Sequence, residues 1–314
     1  MFATPHIQLR GALLAAAAAV ALATAAPSTA GSYGWPIKPF DFQHPVRAFF
    51  GDPRIDGYDE AHGTFHFGID ISAPDGTAVY ATLTGTASIH PLHSDAVIVS
   101  AGGGLAHEYW HIVPAVEPGD RVVAYRTVVG HVEAPWGHVH FSERLGSVYV
   151  NPLRPGALTP YQDHTKPTIH AFSLEREGVG VGPRVHGRVD LVVEAWDTAP
   201  RDVLPPWDHK PVAPALVRWR LSGDRGLASA DAWHVAADFR GALPRAPFAS
   251  VYARWTRQNH PWRGLGQGRY RFVLARGFDS RTLADGRYRL EVEASDTRGN
   301  ATRASVAFVV ANRV

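Results

Sequence analysis

Hydrophobic and polar positions are distributed along this chain in three ways. Residues 11–26 form one apolar run, nearly all Ala, Leu and Val, preceded by His6 and Arg10 and followed by small residues at Ser28 and Ala30. That layout predicts a secretory signal peptide over residues 1–30, cleaved after Ala30, because the run falls short of the length a spanning helix needs. From there to residue 155 the apolar positions come in short clusters, at 46–50, 78–81, 85–89, 96–100, 106–111, 121–124 and 139–143. Turn sequences separate them, among them GDPR at 51–54 and ISAPDG at 71–76, with glycines at 102–104, 119, 130 and 137. No stretch keeps a 3.6-residue period, so the region predicts a mostly antiparallel β domain. Residues 31–44, rich in Gly, Pro and aromatic side chains, predict an arm lying on that domain's surface.

The pattern changes again after Asn151 and Pro152. The stretch that follows carries Pro155, Pro160 and Pro167 among polar residues and predicts a linker over 156–167. Beyond it, Val189, Leu191, Val193 and Ala195 alternate with Asp190, Val192, Glu194 and Trp196. Tyr288, Leu290, Val292 and Ala294 alternate with arginines and glutamates. Both stretches predict half-buried strands. The second runs into the turn DTRGN at 296–300 and a further alternating strand through Ala304, Val306, Phe308 and Val310. The motif DGRYRLEVEASDTRGN resembles the last hairpin of bacterial immunoglobulin-like or fibronectin-type sandwiches. The expected architecture is all-β: a mostly antiparallel domain over 31–155, the arm included, and a β-sandwich over 168–314.

Composition narrows the chemistry. At 314 residues the chain has length for two cores. It contains no cysteine, which excludes disulfides, a lipid-modified cysteine and thiolate metal ligands, so any metal site must use histidine and carboxylate. The formal charge of +2 falls to +1 once Arg10 leaves with the signal segment, which carries no other charged residue. Such balance gives no sign of nucleic-acid binding, and signal cleavage would leave no stable membrane anchor.

The histidines are where chemistry gathers. His66–Asp70 reads HFGID, a histidine and a carboxylate flanking a glycine, and His138–Phe141 reads HVHF, whose histidines share one face of a strand. In a straight strand the α-carbons of His66 and Asp70 would stand about 13 Å apart, awkward for one ion. The backbone is therefore expected to leave regular extension near Gly68.

With a third element, YWHI at 109–112, these motifs resemble the zinc endopeptidases of the LytM/lysostaphin type, the M23 peptidase family, over roughly residues 45–155. FGDPR upstream, APDGTAVYA after the aspartate, EPGDRVVAYRTVVG before HVHF and VNP after it fit the same pattern. The resemblance implies one Zn2+ held by His66, Asp70 and His140, a zinc-activated water as nucleophile, and His111 and His138 as the two catalytic histidines. One of these handles the proton and the other orients the water and stabilises the oxyanion. It also implies a secreted or periplasmic hydrolase of the bacterial envelope acting on peptidoglycan stem peptides or cross-links. One departure bears on the substrate groove: between Gly130 and His138 the chain has a short EAPWG with Trp136, where the family usually has a longer glycine-rich loop.

Other features have plainer readings. His62, His90, His93, His107 and His131 are expected to be structural or exposed, and Tyr109 and Phe67 to pack. Six of the nine tryptophans fall in the C-terminal half, where core packing or interdomain contact is the default; alternation points Trp196 away from its own core. Asp197 and Asp296 end comparable strands and are read as turn formers, with calcium as the alternative. Two rival functions are a non-catalytic regulator that activates wall amidases and a wall-binding protein whose C-terminal domain engages the wall or a protein partner.

Overall fold

The computed structural model describes residues 31–55, 62–223, 232–261 and 266–313. The signal segment expected over 1–30 and Trp262 lie outside the described residues. The fold is all-β as the alternation predicts, and no helix among the described residues is long and apolar enough to cross a membrane.

The sheet that matters for chemistry has eight strands. Its order is Val46–Ala48, Ile69–Ser72, His138–Leu145, Leu105–Trp110, His93–Ser100, Gly85–His90 and Arg121–Val122, with Val148–Val150 paired to His138–Leu145. All of its pairings are antiparallel. Alternation fixes its faces: Val139 and Phe141 are fully buried in the core, which sends His138 and His140 to the other face. Register then sets their neighbours, because His140 stands opposite Asp70 on one side and Trp110 on the other. The strand through Asp70 is interrupted upstream, with Thr64–Phe65 ending before His66 and Ile69–Ser72 beginning after a bend at Gly68.

Gly68 has a stronger reason to be glycine than backbone freedom. A β-carbon there would lie 2.4 Å from the Phe141 carbonyl oxygen and 2.7 Å from His140 Nε2. The chain passes so close beneath the histidine strand that only hydrogen fits.

The C-terminal half contains two five-stranded sheets. One is built on Thr168–Arg176, Arg188–Thr198 and Arg271–Asp279; the other on Leu216–Gly223, Gly286–Ser295 and Ala301–Val310. Tyr288, Leu290, Val292 and Ala294 point into the core as expected. Val192 keeps the face that alternation gives it but is buried there, with Ala253 and Val273.

Two expectations about the connecting segments change. The 31–44 arm is threaded into the fold, since Trp35 is fully buried and donates through Nε1 to the Pro160 carbonyl. The Pro-rich stretch is equally packed, with Leu153, Ala157 and Leu158 buried and Tyr33 bonded to it through both backbone groups. Aromatic residues in a proline-rich stretch here mark chain that buries side chains without regular structure.

The two halves share one continuous apolar core. Asp52 accepts from the backbone amides of Phe49 and of Ala213, Tyr252 donates its hydroxyl to the Gly51 carbonyl, and Asn151 donates to the Phe239 carbonyl. Phe65 packs among Phe239, Phe248 and Tyr252. The second half is thereby held against the strands that carry the histidines.

Candidate metal centre and cleft

Strand register and the bend at Gly68 bring His66, Asp70 and His140 together, all three buried. Asp70 Oδ1 lies 3.0 Å from His66 Nε2 and 3.1 Å from His140 Nδ1, and those nitrogens are 2.7 Å apart. The opposite ring nitrogens are already engaged. His66 Nδ1 donates to the Phe49 carbonyl at 2.8 Å, and His140 Nε2 is bonded at 2.8 Å to Ser142 Oγ, a hydroxyl that can accept from it. That bonding leaves a lone pair on each inward nitrogen, the state a metal requires. The three donor atoms form a triangle with edges near the roughly 3.3 Å face of a tetrahedral site with 2.0–2.1 Å bonds, so the donor set fits a zinc ion.

Electrostatics favour the same state. Burial pushes His66 down to about 3, with the positive charge of Arg54 adding to the effect. For Asp70 burial works upward, but the surrounding imidazoles, His66 first and then His138, and its close contacts with His140 and His66 hold it well below the ordinary carboxylate range. Its second oxygen accepts from Arg54 Nη2 at 3.1 Å. At neutral pH the cluster thus presents a carboxylate and a neutral imidazole, ready to take a cation.

His138 and His111 stand beside this triangle. His138 Nε2 is 3.6 Å from Asp70 Oδ1, and its ring centre is 4.8 Å from that of His111. Both are pushed down mainly by burial, and His138 strongly so. His138 Nδ1 receives Arg47 Nη2 at 2.6 Å and lies 2.9 Å from the Trp136 carbonyl. The guanidinium can only donate to Nδ1 and the carbonyl can only accept from it, so these two contacts call for opposite tautomers, while Nε2 turns toward Asp70. His111 is oriented by a single carboxylate. Its Nδ1 pairs with Asp95 Oδ2 at 3.3 Å, which leaves Nε2 as the acceptor. Its backbone adopts φ +62°, left-handed for a non-glycine residue, between the strands Leu105–Trp110 and Ile112–Pro114. Strain of that kind gathers at functional positions.

All five predicted site residues therefore converge. Arg47, Arg54, Asp95 and Ser142 join them without having been expected from the motifs. Arg54 and Ser142 lie inside or beside the quoted motifs, and Asp95 precedes Ala96, which pairs with Trp110 just before His111.

A cavity of about 340 Å3 opens over the cluster. One wall comes from Arg47, Arg54, His111 and Trp136; the other comes from Trp207, Gln258, Asn259 and Tyr270 of the C-terminal half. Trp207 lies 4.2 Å from the Arg47 guanidinium, an interdomain contact of the kind expected for the C-terminal tryptophans. The cleft continues one way into an apolar groove between Trp136 and the 203–207 stretch, and the other way along Phe67, His93 and Trp110. Trp136, the departure in the EAPWG loop, stacks on His111 with ring centres 4.4 Å apart. No residue of the 31–44 arm lines this cleft. Tyr109 is fully buried, Phe67 packs against His140 and Tyr149, and His107 is buried against Thr82. Trp196 is half-buried against His170.

Residues 64–152 match the model of Peptidase family M23. No curated protein matches the chain. Among solved structures, the SpoIIQ–SpoIIIAH pore-forming complex contains a chain 26% identical over 39% of this chain and 89% of that one, with a TM-score of 0.31. A zinc-containing peptidase from Vibrio cholerae is 18% identical over 40% of each chain, with a TM-score of 0.34. Pseudoalterin, a deep-sea M23 metalloprotease, is 15% identical over 42% of this chain and 80% of that one, at 0.29. The family match ends at residue 152 and does not reach the C-terminal half.

Proposed function

We propose that this M23-matching segment is a secreted zinc metalloendopeptidase that hydrolyses amide bonds in peptidoglycan stem peptides or cross-links. The observation that carries the reading is the buried triangle of His66 Nε2, Asp70 Oδ1 and His140 Nδ1, with both outer nitrogens already bonded. When bound there, zinc supplies a Lewis acid and brings a water's pKa to about 7.

The chain's own residues supply the rest. His111, its Nδ1 held by Asp95, presents Nε2 to accept a proton from the attacking water and return it to the leaving amine. His138, anchored at Nδ1 between Arg47 and the Trp136 carbonyl, turns Nε2 toward the cluster, where it would stabilise the negative charge that develops on the carbonyl oxygen. Arg54 keeps Asp70 ionised and fixed. The groove running away from the cluster in both directions suits cleavage within an extended peptide rather than at its end. Trp136 and Trp207 would grip the peptide on either side, which makes the C-terminal half part of the substrate site.

The test is metal analysis with turnover. The purified chain should carry one zinc and cleave a cross-linked muropeptide, and His140→Ala should lose both. A folded chain with no stoichiometric zinc would instead mark a non-catalytic regulator.

A further inference from the structure

A second buried cluster lies away from the cleft. Asp163 comes from the Pro-rich segment, Asp197 from the end of the strand Arg188–Thr198, and Asp296 from the turn after Gly286–Ser295. Their exposures are 4%, 1% and 4%, yet each offers an oxygen within 4.8 Å of the other two. The nearby cation, Arg298, donates to the carbonyls of Tyr161 and Leu153 and lies over the Tyr161 ring.

Outer donors aim the carboxylates. Asp163 Oδ1 accepts from the Thr165 amide and hydroxyl, and Oδ2 from the Tyr161 hydroxyl. Asp296 accepts from the amides of Arg298 and Asn300 and from the Asn300 side chain. Asp197 Oδ1 accepts from the Thr198 amide. Asp197 Oδ2 is buried and has no hydrogen-bond partner at all. It belongs to a carboxylate that lines a small cavity together with Asp296. A buried carboxylate oxygen left bare beside two further carboxylates is an arrangement that a cation resolves.

We infer that Asp163, Asp197 and Asp296 bind a calcium ion that clamps the Pro-rich segment to both sheets of the C-terminal half. The donor set is entirely oxygen, which selects a hard cation over zinc or copper. Three carboxylate oxygens all within 4.8 Å of one another fit around an ion with bonds of 2.3–2.6 Å, and a cage of three carboxylates suits Ca2+, whereas Mg2+ usually keeps several waters and takes one or two carboxylates. Without a cation the cluster resists ionisation. Burial, with Asp163 and Asp296 beside it, pushes Asp197 up to about 8, and burial likewise raises Asp296. The site stands independently of the zinc reading.

The test uses the full chain, stripped with chelator and reloaded with one equivalent of zinc so that the histidine site is not the one titrated. Calorimetric titration with CaCl2 should show one calcium per chain. About 1 mM CaCl2, the range of extracellular calcium modules, should raise the thermal midpoint. Asp197→Asn, which keeps the shape, should weaken binding by about tenfold or more and abolish the calcium-dependent rise in midpoint. Asp296→Asn should do the same, and the wild-type titration decides the matter alone if neither variant folds. Absence of calcium binding by the folded wild-type chain would overturn the inference and leave the carboxylates sharing protons. Binding undiminished in both variants would also overturn it.

Discussion

His66 Nε2 and His140 Nδ1 face one another across 2.7 Å, each on a ring whose other nitrogen is already hydrogen-bonded. Two inward nitrogens at that separation, both close to the Asp70 carboxylate, can share a proton or a metal ion. The Phe49 carbonyl selects the His66 tautomer, and the Ser142 hydroxyl is able to accept from His140 in the matching one.

Loss of a ligand and loss of its support should therefore differ in size. Ser142→Ala should weaken zinc binding by roughly 10–100-fold while leaving the site intact, and His66→Ala by more than that. Competition titration with a zinc indicator checks the order.

Gly68→Ala places a methyl 2.4 Å from a carbonyl oxygen of the strand that carries His140. Neither backbone can give without moving a ligand, so the variant should lose about 1–3 kcal/mol of stability and much of its zinc affinity. Denaturant unfolding of the metal-free and zinc-loaded forms separates the two effects.

Under the proposed mechanism, the two histidines beside the triangle should separate by their partners. Asp95→Asn should reduce kcat by about 10–100-fold through misorientation of His111, with zinc retained. His111→Ala should cost about 10²–10⁴ and remove the limb of the pH–rate profile that reports the general base, whereas His138→Ala should lower the rate and keep that limb. Profiles for the three variants on one peptide test the assignment.

Acid should destabilise the chain through a histidine outside the metal site. Burial pushes His107 down to about 4, so between that value and its unfolded value of about 6.5 the unfolded chain binds the extra proton. Its contribution to stability is present above pH 6.5 and is lost as pH falls toward 4. His107→Phe, which keeps an aromatic ring between Tyr33 and Phe141, should flatten that part of the profile. Unfolding free energies at pH 7 and pH 4.5 give the comparison.

These outcomes also mark what could be read from the chain alone. The pairing of HFGID with HVHF was legible because strand alternation and ligand type are local properties, and the need for a bend at Gly68 followed from the reach of a strand. The role of Arg47 was not legible, since nothing in its own strand says that it meets His138 91 residues on. The opposite wall was hidden for the same reason: Trp207 and Tyr270 reach the cleft only through long-range packing of the second half. Asp163 looked like linker and Asp197 like a turn residue until three separate chain segments brought them to one place. Trp35 and Tyr161 were obscured by prolines, which signal irregular backbone and say little about burial.

The most direct measurement is digestion of purified sacculi by the zinc-loaded chain beside His111→Ala, with metal content determined for both. The account predicts uncross-linked stem peptides from the native chain, and a rate lower by about 10²–10⁴ from a variant that still holds zinc. Equal inactivity of two folded, zinc-loaded proteins would contradict it.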